Sequence, residues 1–438
     1  MSQTLSWGRY PHCPQIPHNV FWPEDVPNGL ERIAAFQKGV GLAYGQGRSY
    51  GDSCLSESGH LLAMAKMNRI LFIDWKSGLI FAQAGLTLAE LINIALPRGF
   101  FPPVTPGTKF ITLGGAVAND VHGKNHHVHG TFGCHVKRLI LYRSDEGIVE
   151  CSQSLRKELF EATIGGLGLT GVILAVALQL RRVTSNQIEQ RNIRFQCLDE
   201  FFDLSQTQDA VHEYTVAWVD CLASGAQTGR GHYMAGNHAK DGALTPAPPG
   251  RIGIPFDPPC SLINAISLRI FNTLYYHRQY HKETVRRVCY DPFFYPLDAI
   301  SQWNRLYGRA GFQQYQCVVP KKDGREIIRA VMKEIAKSGT GSFLAVLKRF
   351  GNLPSPGLLS FPLEGVTLAL DFPQRAEINL RLFAKLDRLV HDAGGRLYPA
   401  KDAHMHATDF KKAYPRWEAV EALRDPKLNS LFWKRVTQ

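Results

Sequence analysis

The sequence predicts an α+β fold, and three observations carry the prediction. First, ILFIDWKSGLIFAQAG, from Ile70 to Gly85, reads as two strands joined around Lys76, Ser77 and Gly78. Second, a strand, Pro, helix, Gly, strand pattern occurs twice beyond Tyr290. QYQCVVP leads into a helix carrying Ile327, Ile328, Val331, Met332 and Ile335, then Gly339 and FLAVLKRF. VTLALDFP leads into a helix carrying Ile378, Leu382, Phe383, Leu386, Leu389 and Val390, then Gly394, Gly395 and RLYPAKD. A unit repeated in this way builds a sheet with helices on one face, here expected to be a substrate domain. Third, 438 residues at 45% hydrophobic content suffice for two or three domains with a sizeable core.

Charge and cysteine usage narrow the class. The net charge of +12 suits an anionic partner such as nucleic acid, an acidic membrane face or a phosphorylated substrate. No Lys/Arg run is long enough to single out nucleic acid, and aromatics are not interleaved with basic residues as in a base-stacking surface. Nine cysteines, an odd number without a C-x-x-C pair, read as reduced thiols of a cytoplasmic protein. The start, MSQTLSWGRYPHCP, has no apolar core of a signal peptide. The apolar run Ile164 to Leu180 holds four glycines and ends on two arginines, so it reads as a buried turn and strand rather than a membrane span.

Taken in order, the chain first presents YGQGRSYGD, whose glycines let backbone N–H groups converge into an anion-binding nest. Thr87 with Glu90 forms a capping box before the helix face Leu88, Leu91, Ile92 and Ala95. Then comes FPPVTPGTKFITLGGAVANDVHGKNHHVHGTFG, from Phe101 to Gly133, around which the chain is organised. Thr112 is the expected N-cap of a short helix opening with Leu113, Gly114 and Gly115, whose bare backbone donors are expected to face a phosphate or a flavin edge. Strands are expected at Arg138–Tyr142 and Ile148–Cys151, with a short helix near Leu155–Ala162. Gly166, Gly168 and Gly171 match G-x-G-x-x-G, but the motif follows a helix and precedes a strand. That is the reverse of a dinucleotide fold, so a tight turn against a cofactor is expected instead. Residues 223–260, rich in Gly, Ala and Pro, read as a long loop.

GQGRSYGD, TPGT with TLGGAVANDVHGKNHH, GGLGLTGVI, RLYPAKD and the stretch Phe293 to Gln316 together resemble the vanillyl-alcohol-oxidase (PCMH-type) FAD-binding oxidoreductases, and within them the decaprenylphosphoryl-β-D-ribose 2-oxidase group. The resemblance spans almost the whole chain. It implies a two-lobed protein: an FAD-binding domain over 1–183, an α+β cap with an antiparallel sheet over 184–395 that binds substrate, and a segment 396–438 returning to the FAD domain. Carried over by position, Ala43, Tyr44, Gly45, Gln46, Gly47, Arg48, Ser49, Tyr50, Gly51, Asp52 and Ser53 would wrap the FAD pyrophosphate. Gly107, Thr112, Leu113, Gly114, Gly115, Asn119, Asp120, Val121 and His122 would run along the flavin, with Ile173 and Tyr398 completing the site. Arg48 stands where many relatives carry a flavin-linked histidine, so non-covalent FAD is expected. Lys401, His122 and Tyr50 are the implied catalytic residues, and Lys124, Trp218, Gln314, Gln316 and Lys348 the implied substrate contacts.

The implied reaction is oxidation of the 2-hydroxyl of a polyprenyl-phosphoryl ribose, followed by re-reduction to the arabinose form by an NAD(P)H-dependent short-chain reductase. Cytoplasmic residence with peripheral contact at the inner membrane face goes with a lipid-linked substrate. Departures from mycobacterial relatives lie in VTLALDF: Ala369 replaces a cysteine, and Val366 and Thr367 replace Trp and Asn. Oxidation of a free alditol or aldonolactone by the same chemistry is the alternative, and a flavoprotein that binds without turnover is a third reading. A metallohydrolase built on His122, His126, His127, His129 and His135 is disfavoured by Gly123 and Gly130 and by the missing glutamate, so no metal is expected.

Overall fold

The computed structural model describes residues 4–248, 250 and 252–438. Two cores organise the chain. The first lies around a five-stranded antiparallel sheet in the order Ile70–Asp74, Leu79–Gln83, Val172–Gln179, Val136–Arg143, Gly147–Ser152. Val172–Gln179 occupies its centre and is apolar on both faces, as a strand covered on both sides must be. Beside it lies a three-stranded parallel sheet of Ile16–Asn19, His60–Ala63 and Ala43–Tyr44, whose last strand runs directly into the glycine turn at Gly45. The expected capping box is present: Glu90 N donates to Thr87 Oγ1, and Thr87 N donates to Glu90 Oε2 at 2.8 Å.

The second core lies under an eight-stranded antiparallel sheet. Its order is Glu283–Cys289, Gln187–Phe195, Gly231–His238, Tyr214–Val219, Val346–Phe350, Gly365–Pro373, Phe312–Pro320, Arg396–Leu397. The repeated unit is borne out. Phe312–Pro320, helix Gly324–Ser338 and Val346–Phe350 make one split β-α-β unit; Gly365–Pro373, helix Ala376–Asp392 and Arg396–Leu397 make the other. Each unit lends a strand to the gap of the other, so the two interlock. Leu382, Phe383, Leu386 and Val390 of one helix and Ile328, Val331, Met332 and Ile335 of the other enter the same apolar cluster.

The loop expected over 223–260 is corrected in part: Gly231–His238 is an interior strand, paired with Gln187–Phe195 and Tyr214–Val219. Its glycines serve packing, not flexibility. A Cβ on Gly231 would stand 2.0 Å from Trp218 O, and one on Gly236 would meet Ile188 Cγ2 at 2.7 Å. Beyond it lie a helix, Ala265–His277, and the sheet's outermost strand, Glu283–Cys289.

Candidate active site

A cavity of about 660 Å³ runs between the two cores, within the size of a ligand site. The glycine turn forms one wall. Gly47 has φ +60°, and a Cβ there would meet Tyr44 Oη at 1.9 Å, so the turn closes only with glycine. Among the described residues, the backbone N–H groups of Gln46 through Ser49 donate to no protein acceptor, which leaves a row of donors along the cavity. Tyr50 N donates to Ala400 O at 3.0 Å, binding the turn to RLYPAKD from far along the chain.

Most of the expected residues face this cavity. Ala43 through Tyr50, Ser53, Gly107, Thr112, Gly114, Gly115, Asn119, Val121, His122, Ile173 and Tyr398 line it, as do Lys124, Trp218, Gln314, Gln316, Lys348 and Lys401. Four do not, and each has a structural reason. A Cβ on Gly51 would stand 1.6 Å from Asp402 O, so Gly51 permits a backbone contact. Asp52 is paired with Arg435 at 2.8 Å. Leu113 is wholly buried in the first core. Asp120, also wholly buried, accepts from Gly133 N at 2.8 Å and from the Ser355 and Ser360 hydroxyls, pinning the turn that carries His122.

The helix-end donors also need correction. Leu113 N donates to Leu86 O, Gly114 N to Ala84 O and Gly115 N to Thr112 Oγ1, at 2.8, 2.8 and 3.1 Å. The capped helix Leu113–Ala118 spends its first N–H groups on the protein, and Gly114 serves close approach to Ala84 Cβ. The glycine turn, not this helix, offers the free donors.

In the cavity wall, His122 sits among Phe350, Phe361 and Tyr398, with ring centroids 4.9 to 5.6 Å away. The Gln316 amide lies 3.1 Å from His122 Nε2. Burial, then Lys348, His126 and Lys401, hold its pKa well below the usual value, so the ring is neutral at pH 7. Lys401 Nζ stands 3.4 Å over the Tyr50 ring, and burial lowers its pKa to about 7 against the opposing pull of Asp371. Asp371, which the sequence reading missed, accepts from Gln314 Nε2 at 2.7 Å and is raised to about 7 by burial. Two further amines in the cavity wall are held near 7. Lys124 donates to Phe294 O at 3.1 Å, and Lys348 donates to Gly123 O at 3.2 Å, its pKa lowered by burial and then by the neighbouring Lys124 charge. Trp218 anchors this wall by donating from Nε1 to Phe343 O at 2.8 Å.

The donor set fits a phosphate-bearing, planar cofactor. Buried Arg48 Nε, Ser53 Oγ, His122 Nδ1 and Thr367 Oγ1 have no hydrogen-bond partner in the protein, and all four belong to residues lining the cavity. Trp7, which lies 3.8 Å under the Arg48 guanidinium, was also missed, because nothing near the N-terminus carries a motif. Three histidines of the metal reading each have a protein partner. The rings of His127 and His135 lie against the His212 and His129 carbonyls, and His129 pairs with Glu213.

Comparison with known proteins agrees with this geometry. Residues 23–152 match the family described as FAD binding domain. The decaprenylphosphoryl-β-D-ribose oxidase of Mycolicibacterium smegmatis is 34% identical over 442 residues, covering 96% of this chain and 94% of that enzyme. An uncharacterised Streptomyces coelicolor protein is 33% identical over 77% of this chain and 95% of its own length. The L-gulonolactone oxidase of Bos taurus is 31% identical over 40% of this chain and 39% of that enzyme. Full-length similarity at this level, joined to a cavity whose unmatched donors suit a flavin dinucleotide, means that the chain belongs to the family of FAD-dependent oxidoreductases that includes decaprenylphosphoryl-β-D-ribose oxidase.

Proposed function

We propose that the protein oxidises the 2-hydroxyl of a polyprenyl-phosphoryl ribose to the 2-keto sugar, the first half of an epimerisation to the arabinose form. The observation that carries this reading is one cavity holding the glycine turn and two half-buried lysines, Lys348 of the cap and Lys124, whose amine reaches the cap at Phe294 O. An anionic phosphate would restore the charge that burial suppresses on these amines, and charge-assisted hydrogen bonds are strongest where water is excluded. Bound FAD, held non-covalently, supplies the hydride acceptor for the C2 hydrogen. The chain supplies the rest. Lys401, neutral in part at pH 7, takes the hydroxyl proton on Nζ as the C2–O bond becomes a carbonyl, and Tyr50 holds that amine in place through its ring face. Neutral His122, packed by three aromatic rings, fixes the position of the reacting carbon and excludes water.

Several finer statements belong to the same proposal. The division into 1–183, 184–395 and 396–438 is supported by the contacts of the last segment. Arg435 reaches Asp52 and Leu428 packs in the first core, whereas Arg396 and Leu397 pair with the second sheet and Phe410, Phe432 and Trp433 enter the second apolar cluster beside Leu42, Leu61 and Leu169. The keto product calls for a hydride donor in a second enzyme, which we assign to an NAD(P)H-dependent short-chain reductase. Residence in the cytoplasm with contact at a membrane face suits a lipid-linked substrate. Among the described residues no helix is long and apolar enough to cross a membrane.

The test is anaerobic absorbance of the yellow holoprotein during titration with a phosphoribosyl polyprenol analogue and, separately, with an alditol. Bleaching by the first alone supports the proposal. Bleaching by the alditol alone moves the assignment to a free-sugar oxidase, and bleaching by neither leaves a flavoprotein that binds without turnover.

A further inference from the structure

We infer that helix Ala265–His277 is a membrane-docking element that seats one end of the cavity on an anionic lipid surface. Ile266, Ile270 and Leu274 follow one another at four-residue intervals, a spacing that keeps side chains on one side of a helix, and Leu262 precedes them just before the Asn264 cap. In a helix that merely covers a sheet this row would face the core. Here it faces water, with relative exposures of 53%, 72%, 57% and 68%, and Phe271 stands beside it. The opposite face already has its core: Leu268, Asn272 and Tyr276 are buried, and Asn272 Nδ2 donates to Asp220 Oδ1 at 2.9 Å. The helix is therefore fixed to the protein by one side and offers an apolar ridge on the other. Such ridges mark interaction surfaces rather than ordinary exposed residues.

Charge around the ridge selects the occupant. Arg269, His277, Arg278, His281, Lys282 and Arg286 are all exposed. Among the described residues, the arginines and the lysine of this set form no ion pair. Neighbouring Arg191 and Arg287 do, with Glu283 and with Glu189 and Asp241. Glu283, the acidic residue of this stretch, is thereby neutralised. An apolar ridge bordered by unpaired cations is the pattern of a helix lying in a lipid interface, its side chains among the acyl chains and its cations at anionic headgroups. Tyr280, 88% exposed at the helix's far end, is a side chain suited to the headgroup level.

The ridge also connects to the cavity. Tyr275 and Arg278 of this segment, with Arg286 and Val288 of strand Glu283–Cys289, line the cavity itself, and Arg278 sits 3.7 Å over the Tyr275 ring. One wall of the cavity is thus the back of the docking helix. The purpose of this arrangement rests on the lipid-linked substrate proposed above, since a polyprenyl chain could stay in the bilayer while its phosphosugar enters the cavity. The exposed ridge and its unpaired cations are present whatever the substrate.

The experiment is flotation of the holoprotein with vesicles of phosphatidylcholine alone and of phosphatidylcholine with phosphatidylglycerol, in the absence of any sugar substrate. The wild type should float with the anionic vesicles, and the triple variant I266S/I270S/L274S should partition roughly tenfold or more weakly, since binding scales with buried apolar area. A second variant, R269Q/K282Q, should lose the preference for anionic lipid, and both variants should keep their FAD content and far-ultraviolet circular dichroism. Wild type that stays with neither vesicle overturns the inference, as does a triple variant that floats like the wild type. A wild-type dimer that fails to float and that the triple variant converts to monomer would make this face a contact between copies instead. Protein that floats but fails to oxidise the lipid-linked sugar would leave this inference standing and remove the substrate proposal.

Discussion

Replacing Arg435 with methionine should loosen the cofactor turn from 383 residues away along the chain. Arg435 is the C-terminal clamp of the site: Nε and Nη2 donate to Asp52 at 3.0 and 2.8 Å, and Nη2 also donates to Asp402 at 2.9 Å. Asp52 and Asp402 are 4% and 2% exposed, one at the end of the glycine turn and the other beside Lys401. Removing the guanidinium leaves buried Asp52 without its cation and Asp402 with His404 as its remaining charged partner. Breaking a buried pair by one partner costs about 3–5 kcal/mol, and since the Arg435 side chain is 27% exposed, the lower end, about 3 kcal/mol, is expected. With about 2.1 cal/mol/K of unfolding entropy per residue, 438 residues unfolding together shift by roughly 1 °C per kcal/mol, so Tm should fall by about 3 °C. FAD retention through gel filtration should fall with it, because Tyr50 and Ser53 flank this anchor and line the cavity. Arg435→Lys should recover part of both, since it restores charge without the two-pronged geometry. A methionine variant with unchanged Tm and full FAD content would refute the clamp.

The other predictions concern the chemistry. Lys401→Met should lower anaerobic flavin reduction by about 10²–10⁴-fold while leaving FAD bound, the range for loss of a general base. In the wild type that rate should rise from pH 6 to 8 as Lys401, held near pKa 7, becomes neutral, and the methionine variant should be flat; stopped-flow reduction across pH checks both. Lys124→Met or Lys348→Met should each raise KM for a phosphorylated substrate by about tenfold to a hundredfold, matching about 1.5–3 kcal/mol per charged hydrogen bond, and leave KM for a non-phosphorylated alcohol unchanged. Stability should also report these amines. Lys124, Lys348 and Lys401 have folded pKa values near 7, below the unfolded value near 10.5, so the unfolded chain binds more protons between pH 7 and 8.5. Tm should therefore rise with pH over that window, and the rise should shrink in Lys348→Met; differential scanning fluorimetry would show it.

What the sequence made legible was local or periodic. The Thr87–Glu90 box and the Thr112 cap are short-range signals, and the two helices of the repeated unit bury apolar faces that recur with helical period. The convergence of Tyr50 and Lys401, more than 300 residues apart, follows from sheet topology, which no local pattern encodes, and only the family resemblance brought them together. Asp371 went unnoticed because it reads as one polar residue in an apolar strand, and its importance comes from burial beside Gln314 and Lys401. Strand Gly231–His238 was hidden by its own glycines, present because neighbouring strands crowd it. The row Leu262, Ile266, Ile270 and Leu274 was visible as a pattern, yet period alone does not tell a core face from an outward one. The exposed arginines between and beyond those positions were the available signal.

In the proposed reaction, hydride leaves C2 of a phosphoribosyl lipid while Lys401 takes the hydroxyl proton. The most direct measurement uses that substrate with deuterium at C2 in anaerobic single-turnover reduction, with mass analysis of the sugar afterwards. Slower bleaching with the deuterated substrate and a keto product that has lost the label are expected. Bleaching at an equal rate with deuterium retained at C2 would contradict that reaction.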